Sequence, residues 1–322
     1  MVMKYIESIS TELESIVKSQ QDIVDGLQQI MPANNDCLSS LKSNLTSISL
    51  EPLRILVCGK IACGKSSLIN AIQGFNIAPD WQLPILQPFI TEYKHSMIEK
   101  AILYPCPNIY KHNDRPFEIQ LDEIKTYCSL PDPNNPIKES PFHKLEINST
   151  KCLPGVDLID ITIPYWNFDL LSNPTAELLC KVDYVIYCMR TDHGYSAKDK
   201  DNIELLHKLG YTSIVFVLTA WNRILDSDEI MGTNDAVMFK EYCFKHLSPL
   251  TDFGESGIFF VDSLRALKGK IRNDESAIEK SGIFHLDSYL SDLMIQKQKK
   301  ALLKITEVNK HISEYIQHLL MQ

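Results

Sequence analysis

The sequence predicts a three-layer α/β domain with a mostly parallel sheet, joined to a helical stalk built from both ends of the chain. Three observations carry that prediction. Near-continuous apolar runs recur through the middle of the chain with amphipathic stretches between them, the pattern of strands buried on both faces and alternating with helices. Both ends carry apolar residues at spacings of three and four, the period of a helix with one buried stripe. One apolar run leads through a glycine-containing turn into a helical stretch, an arrangement that aims a helix N-terminus at the end of a strand.

The first segment places Ile6, Ile9, Leu13, Ile16, Gln20, Ile23, Leu27 and Ile30 on one seam, a heptad-like stripe with a single polar residue in it. Pro32 and the cluster Asn34, Asn35 and Asp36 end that helix. A shorter helix holds Leu38, Leu41, Leu45 and Ile48, and Pro52 leads into the first strand, Leu53 to Cys58. Strands are predicted at Arg54–Val57, Val156–Ile161, Tyr184–Cys188, Ile214–Leu218 and Ile258–Val261, with a helix at Asp199–Leu209. Residues 105–150 contain Pro105, Pro107, Pro116, Pro131, Pro133, Pro136 and Pro141 and read as an irregular insertion around one short helix near Asp122–Cys128. After Gly282, a stripe of Leu286, Leu290, Leu293, Met294, Ala301, Ile305, Val308, Ile312, Ile316 and Leu319 predicts a final helix, ~50 Å long for about 35 residues. The two terminal stripes are expected to bury each other. The expected divisions are 1–50 for the N-terminal stalk helices, 51–280 for the α/β domain and 281–322 for the long C-terminal helix.

Composition narrows the function classes. The chain has 322 residues, a formal net charge of −9 and 44% hydrophobic residues, enough to fold on its own core. The acidic balance gives no diffuse attraction to nucleic acid, and no nucleic-acid partner is expected. Nine cysteines are scattered with no Cys-x-x-Cys pair, as expected of reduced core thiols in a cytoplasmic protein. Glu7, Glu12 and Glu14 interrupt the N-terminal apolar stretches, against a signal peptide. No window approaches the ~20 apolar residues of a membrane span.

The run Gly59-Lys60-Ile61-Ala62-Cys63-Gly64-Lys65-Ser66 has the Gly-x-x-x-x-Gly-Lys-Ser spacing of a P-loop, with a strand before it and Ser67-Leu68-Ile69-Asn70-Ala71-Ile72 opening a helix after it. The glycines let main-chain N–H groups turn inward around phosphate oxygens, and the following helix points its positive end at them. Lys65 is placed to reach the outer phosphates and Ser66 to ligate magnesium. Asp160, at the end of the buried run from Val156, is the candidate for a second, water-mediated magnesium contact. Asp157 is the weaker candidate because it lies inside the run.

The stretch Gly64-Lys65-Ser66-Ser67-Leu68-Ile69-Asn70-Ala71-Ile72-Gln73-Gly74 resembles the P-loop and first helix of the dynamin superfamily of large GTPases, in particular its bacterial dynamin-like and mitofusin-like branch. Gly257 to Lys270 is similar to that branch's last strand and following helix, and Ser281 to Leu290 to the entry of its first post-domain helix. The likeness covers about residues 50–320. It implies GTP or GDP with Mg²⁺. The phosphates would be held by Gly59, Cys63, Gly64, Lys65, Ser66 and Ser67, the base end by Thr219, Asn222 and Ser263, and the metal by Ser66 and Asp160.

Three motifs depart from the family, each toward lost polar chemistry. The family's Leu-Pro-Thr-Thr run is Leu83-Pro84-Ile85-Leu86, which has no hydroxyl to close over magnesium; Thr91 is nearby but outside the motif. The Asp-Thr-Pro-Gly run is Asp160-Ile161-Thr162-Ile163. The base-reading Asn/Thr-Lys-x-Asp is Thr219-Ala220-Trp221-Asn222. An amide in place of that aspartate cannot accept both guanine N–H groups, so base selectivity should fall. The P-loop interior, Ile61-Ala62-Cys63, also lacks polar side chains. Three readings follow: a nucleotide-binding dynamin-like protein with weak or absent hydrolysis that assembles with a partner, such as another dynamin-like protein or a second copy; an active dynamin-like GTPase in membrane remodelling whose missing groups come from elsewhere; and an ATP-dependent P-loop enzyme, disfavoured by the terminal helices. Lys297, Lys299, Lys300 and Lys304 offer a route to peripheral membrane contact, but a solvated helix face explains the same run.

Overall fold

A computed structural model describes residues 2–30, 35–46, 51–78, 90–105, 115–124, 126, 142–161 and 182–321. The chain divides into two compact units, Met1–Leu53 with Tyr289–Gln322, and Arg54–Ser288.

Among the described residues, the larger unit is built on a nine-stranded sheet in the order β4-β3-β5-β2-β6-β1-β7-β8-β9. The strands are β1 (Leu53–Gly59), β2 (Ile90–His95), β3 (Lys100–Pro105), β4 (Phe117–Ile119), β5 (Phe142–Ser149), β6 (Val156–Ile161), β7 (Tyr184–Arg190), β8 (Ile214–Thr219) and β9 (Ile258–Val261). One half is parallel, with β1 beside β7, β7 beside β8 and β8 beside β9. These are the predicted apolar runs, buried along nearly their whole length. Their inward residues, among them Leu56, Tyr187, Phe216 and Leu218, join Ile203, Leu206, Cys243 and Leu247 of the covering helices in one core.

The other half corrects the sequence reading. Within 105–150, read as irregular, β4 and β5 form, and β2 and β3 precede them. The half is mixed: β2 runs parallel to β5 and antiparallel to β6, while β3 is antiparallel to both β4 and β5. The helix near Asp122–Cys128 is a 3₁₀ turn at Leu121–Glu123 followed by helical Ile124 and Thr126; residues 125, 127 and 128 lie outside the described ones. The strands here alternate. Leu145 and Ile147 of β5 are buried whereas His143, Lys144 and Glu146 are only partly covered, which is why they carry no continuous apolar signal.

Helices α3 (Lys65–Gln73), α4 (Ala197–Lys208), α5 (Asn222–Met231), α6 (Asp235–Leu247), α7 (Ser263–Arg272) and α8 (Glu275–Lys280) belong to this unit. The smaller unit holds α1 (Val2–Ile30), α2 (Asn35–Thr46) and most of α9 (Ile283–Leu320). Leu13 and Val24 of α1, Leu38, Leu41 and Leu45 of α2, and Ala301, Ile305, Val308 and Ile312 of α9 form its core. The two terminal stripes therefore meet, as predicted. Gln20, the polar residue of the α1 seam, is buried and donates from Nε2 to the Ile305 carbonyl at 3.3 Å; such a residue sets register at a cost in stability. Among the described residues, no helix is long and apolar enough to cross a membrane.

Candidate functional site

The site starts where β1 ends. Gly59 has φ 147°, and a Cβ there would collide with the Cys188 carbonyl and lie 2.7 Å from Cys63 Sγ. Gly64, at φ 90°, is the N-cap of α3, and a Cβ on it would come within 3.0 Å of Thr219 Oγ1. Both glycines are required by conformation and by space. Ala62 takes φ 59° without being glycine, a strained geometry of the kind that recurs in ligand-binding loops. Lys65 is buried, and its ammonium lies 3.3 Å from Gly59 O and 3.1 Å from Lys60 O, so it lies under the loop. Ser66 and Ser67 follow in the first turn of α3, where main-chain N–H groups have no helical partner.

Asp160 is fully buried near the end of β6, and its charge acts on the Cys58 and Cys63 thiols together with that of Lys65. The β2–β6 register pairs Thr91 with Asp160 and Glu92 with Ile159. Thr91 therefore shares the Asp160 face of the sheet, buried, with no hydrogen-bond partner for Oγ1 among the described residues. Asp157, three positions from Asp160, projects from the opposite face. It lies within reach of the charges of Lys94, Arg54, Glu92 and Glu146, and burial pushes its carboxyl up to about 6. The two aspartates are thus in different environments, and the P-loop side belongs to Asp160.

The base end is differently built. Thr219 Oγ1 donates to the Cys63 carbonyl at 2.6 Å, with the Met189 carbonyl 3.2 Å away. This threonine straps the P-loop to the end of β8. Ala220 sits at φ 56°, and Asn222 opens α5 with its amide 3.4 Å from Asp226 Oδ2. Ser263 is buried at the start of α7, its hydroxyl without a partner among the described residues. Asp262 caps α7 by accepting from Arg265 N at 3.0 Å. Asn222 and Asp262 line a cleft of about 390 Å³ with Arg265, Lys268, Arg272 and Asp274.

Two groups were not singled out from the sequence. Lys60, inside the P-loop, reaches the fully buried Asp199 at 2.7 Å and Ser196 Oγ at 3.0 Å. Tyr187 OH donates to the other Asp199 oxygen at 3.0 Å, and Asn202 donates to Tyr187 OH at 3.1 Å. The signal was the capping box Ser196-x-x-Asp199 ahead of α4. The second group is Arg190, at the end of β7, whose Nη1 lies 3.4 Å from the Ala62 carbonyl. Asp192 holds it at 2.7 Å and also pairs with Arg223 at 2.6 Å; the Arg190 hydrogen bond keeps the Asp192 carboxyl down at about 2. Only the fold brings these residues to the loop.

The residues therefore fit a phosphate group with a divalent cation: buried lysine, helix N-terminus, α3 hydroxyl and buried carboxylate converge on one loop. At the base end the Thr219 hydroxyl is engaged by the loop, and position 220 carries a methyl group. The runs Leu83–Leu86 and Thr162–Ile163 lie outside the described residues.

No family model matches the sequence. An uncharacterized protein in the xynA 3′ region of Caldicellulosiruptor sp. (strain Rt8B.4) is 22% identical over 302 residues, covering 92% of this chain and 70% of that one. Among solved structures, a member of an oligomerised bacterial dynamin pair, described as a mechanism for long-range sensing and tethering of membranes, superposes with a TM-score of 0.58 at 16% identity over 96% of this chain and 56% of its own. LeoA, a bacterial dynamin GTPase from ETEC, superposes with a TM-score of 0.50 at 15% identity over 96% of this chain and 48% of its own. The chain has the fold of bacterial dynamins and spans about half the length of these structures.

Proposed function

We propose that this chain is a dynamin-like nucleotide-binding protein that hydrolyses nucleotide weakly or not at all and acts through assembly with a second dynamin-like chain. The observation that carries the binding half is the buried Lys65 beneath a loop whose two glycines leave no room for a side chain. Lys65 and Ser66 bind ground state and transition state alike, whereas turnover requires groups that act mainly in the transition state. The polar residues expected for that role are replaced by Ile61, Ala62, Ile85, Leu86 and Ile163. Loss of one stabilising donor typically costs about 10²–10³ in rate.

Membrane contact, if part of the function, would be peripheral and is best sought on the exposed Lys299, Lys300 and Lys304. The active-GTPase reading is favoured by one observation: Arg190 lies against the P-loop interior, where a cation could serve a phosphate in place of the missing groups. The deciding experiment is titration of the purified chain with GTP, GDP, ATP and ADP, with and without Mg²⁺, followed by a turnover assay. Binding lost in Lys65→Ala, guanine preference below about tenfold (about 1.4 kcal/mol) and hydrolysis near background are expected. Steady GTP hydrolysis above about 1 per minute, lost in Lys65→Ala, would replace this reading with the active-enzyme one.

A further inference from the structure

Three described cysteines crowd the P-loop: Cys58 on β1, Cys63 within the loop and Cys188 on β7, all with free thiols. The β1–β7 register sets Gly59 directly beside Cys188 and Cys58 beside Tyr187. Paired residues of neighbouring strands project from the same sheet face, and successive residues from opposite faces. Cys58 therefore shares the face of Tyr187, opposite to Cys188, while a Gly59 side chain, with φ 147°, would turn toward β7 and collide with the Cys188 carbonyl oxygen. Cys63 Sγ fills that vacant position, 2.7 Å from where a Gly59 Cβ would lie. Cys63 Sγ and the Cys188 residue therefore border the same space, the one that Gly59 leaves open. The Cys188 thiol is the largest influence on Cys63 and draws its thiol toward ionisation, with the Lys65 charge acting in the same direction. Burial pushes Cys188 the other way. Cys63 lies on the loop beside the exposed Ile61 and Ala62, whereas Cys188 is fully buried in β7, so Cys63 is the nucleophile and Cys188 the resolving thiol.

We propose that Cys63 and Cys188 are a reversible oxidative modification site, closed to a disulfide by a peroxide-class oxidant, that governs the phosphate-binding loop. In the first step Cys63 thiolate attacks a peroxide oxygen; the O–O bond breaks, and Cys63 sulfenic acid and hydroxide form. The Cys188 sulfur then attacks the Cys63 sulfur. The S–S bond forms, the S–O bond breaks, and the oxygen leaves as hydroxide, which takes up the Cys188 proton to become water. Overall, two thiols are oxidised and one peroxide is reduced to two waters. The neighbouring loop residues Ile61 and Ala62 are exposed, so a small oxidant needs only a local opening to reach Cys63. The cross-link would tie the loop to β7 at the point where its main chain must adjust around phosphate. This consequence rests on the nucleotide-binding reading; formation of the cross-link does not.

The test treats the nucleotide-free, full-length protein with hydrogen peroxide, digests it without reductant and analyses the peptides by mass spectrometry. A linked peptide pair joining Cys63 to Cys188, removed by dithiothreitol, is expected. Affinity for a fluorescent GTP analogue should fall by about tenfold or more on oxidation and return on reduction. Cys188→Ala and, separately, Cys63→Ala should form no such link, and oxidised Cys188→Ala should recover its binding with reductant only to the extent that Cys63 stops at sulfenic acid. Irreversibly oxidised Cys63 with no link in the unmodified protein, a link from Cys63 to Cys58 instead, or a link that leaves affinity unchanged would each overturn the proposal. A reduced protein that binds no nucleotide but still forms the link would refute the nucleotide reading while leaving the modification site in place.

Discussion

Asp157→Asn should stabilise the protein at neutral pH and do almost nothing in acid. The Asp157 carboxyl is buried, and burial holds it at about 6 against an ordinary value of 3.8, with Lys94 and Arg54 only partly offsetting the penalty and Glu92 and Glu146 adding to it. Folding at pH 7 therefore takes a carboxylate from water into a site that disfavours its charge. A shift of about 2 units corresponds to about 3 kcal/mol. The sign follows from proton binding. Between about pH 4 and 6 the folded state holds the Asp157 proton and the unfolded state does not, so this group's contribution to stability falls as pH rises through that window. Below pH 4 both states are protonated, and above pH 6 the full penalty applies. An amide keeps the shape and removes the titration. Thermal unfolding of the parent and Asp157→Asn at pH 4 and pH 7.5 would measure it, with about 2–4 °C expected per kcal/mol for a unit of this size. The expected gain is roughly 6–12 °C at pH 7.5 and close to zero at pH 4. An equal shift at both pH values, or a loss at pH 7.5, would refute the burial argument and show that the carboxylate is held by a favourable contact.

Other positions make independent predictions. Thr219→Val removes the donor that straps the Cys63 carbonyl; it should cost about 1–3 kcal/mol in stability and weaken nucleotide binding without abolishing it, as calorimetric titration would show. Lys60→Met leaves the buried Asp199 without its cation and should destabilise by about 3–5 kcal/mol, read by denaturant unfolding, whereas Lys60→Ala with Asp199→Ala should cost less than the two single changes together. Ile305→Ala opens a cavity in the core shared by α1, α2 and α9 and should cost about 2–5 kcal/mol, measurable as an earlier unfolding transition, with nucleotide affinity retained.

Much of this molecule is legible along the chain because its signals are local. The P-loop spacing, the parallel-half strands and the two terminal stripes depend on periodicity and on residues close in sequence, and they appear where the residues predict them: β1, β6, β7, β8 and β9, and the facing stripes of α1 and α9. The half of the sheet carrying β2 to β5 was not legible. Its strands pair charged residues across one face, with Glu92 bound by Arg54 at 3.0 Å and by Lys144 at 2.8 Å. A lysine or glutamate in a strand looks like surface until the partner strand supplies its counter-charge. The same limit applies to the site. Glycine, lysine and serine of the loop are set by spacing, but the Asp199 carboxylate under Lys60, the Arg190 guanidinium beside Ala62 and the Cys188 thiol beside Cys63 are brought there by strand order and register. The sequence ranks Asp160 over Asp157 by its place at the end of the run, but that Thr91 lies opposite Asp160 is decided by the pairing of β6 with β2 in the folded chain.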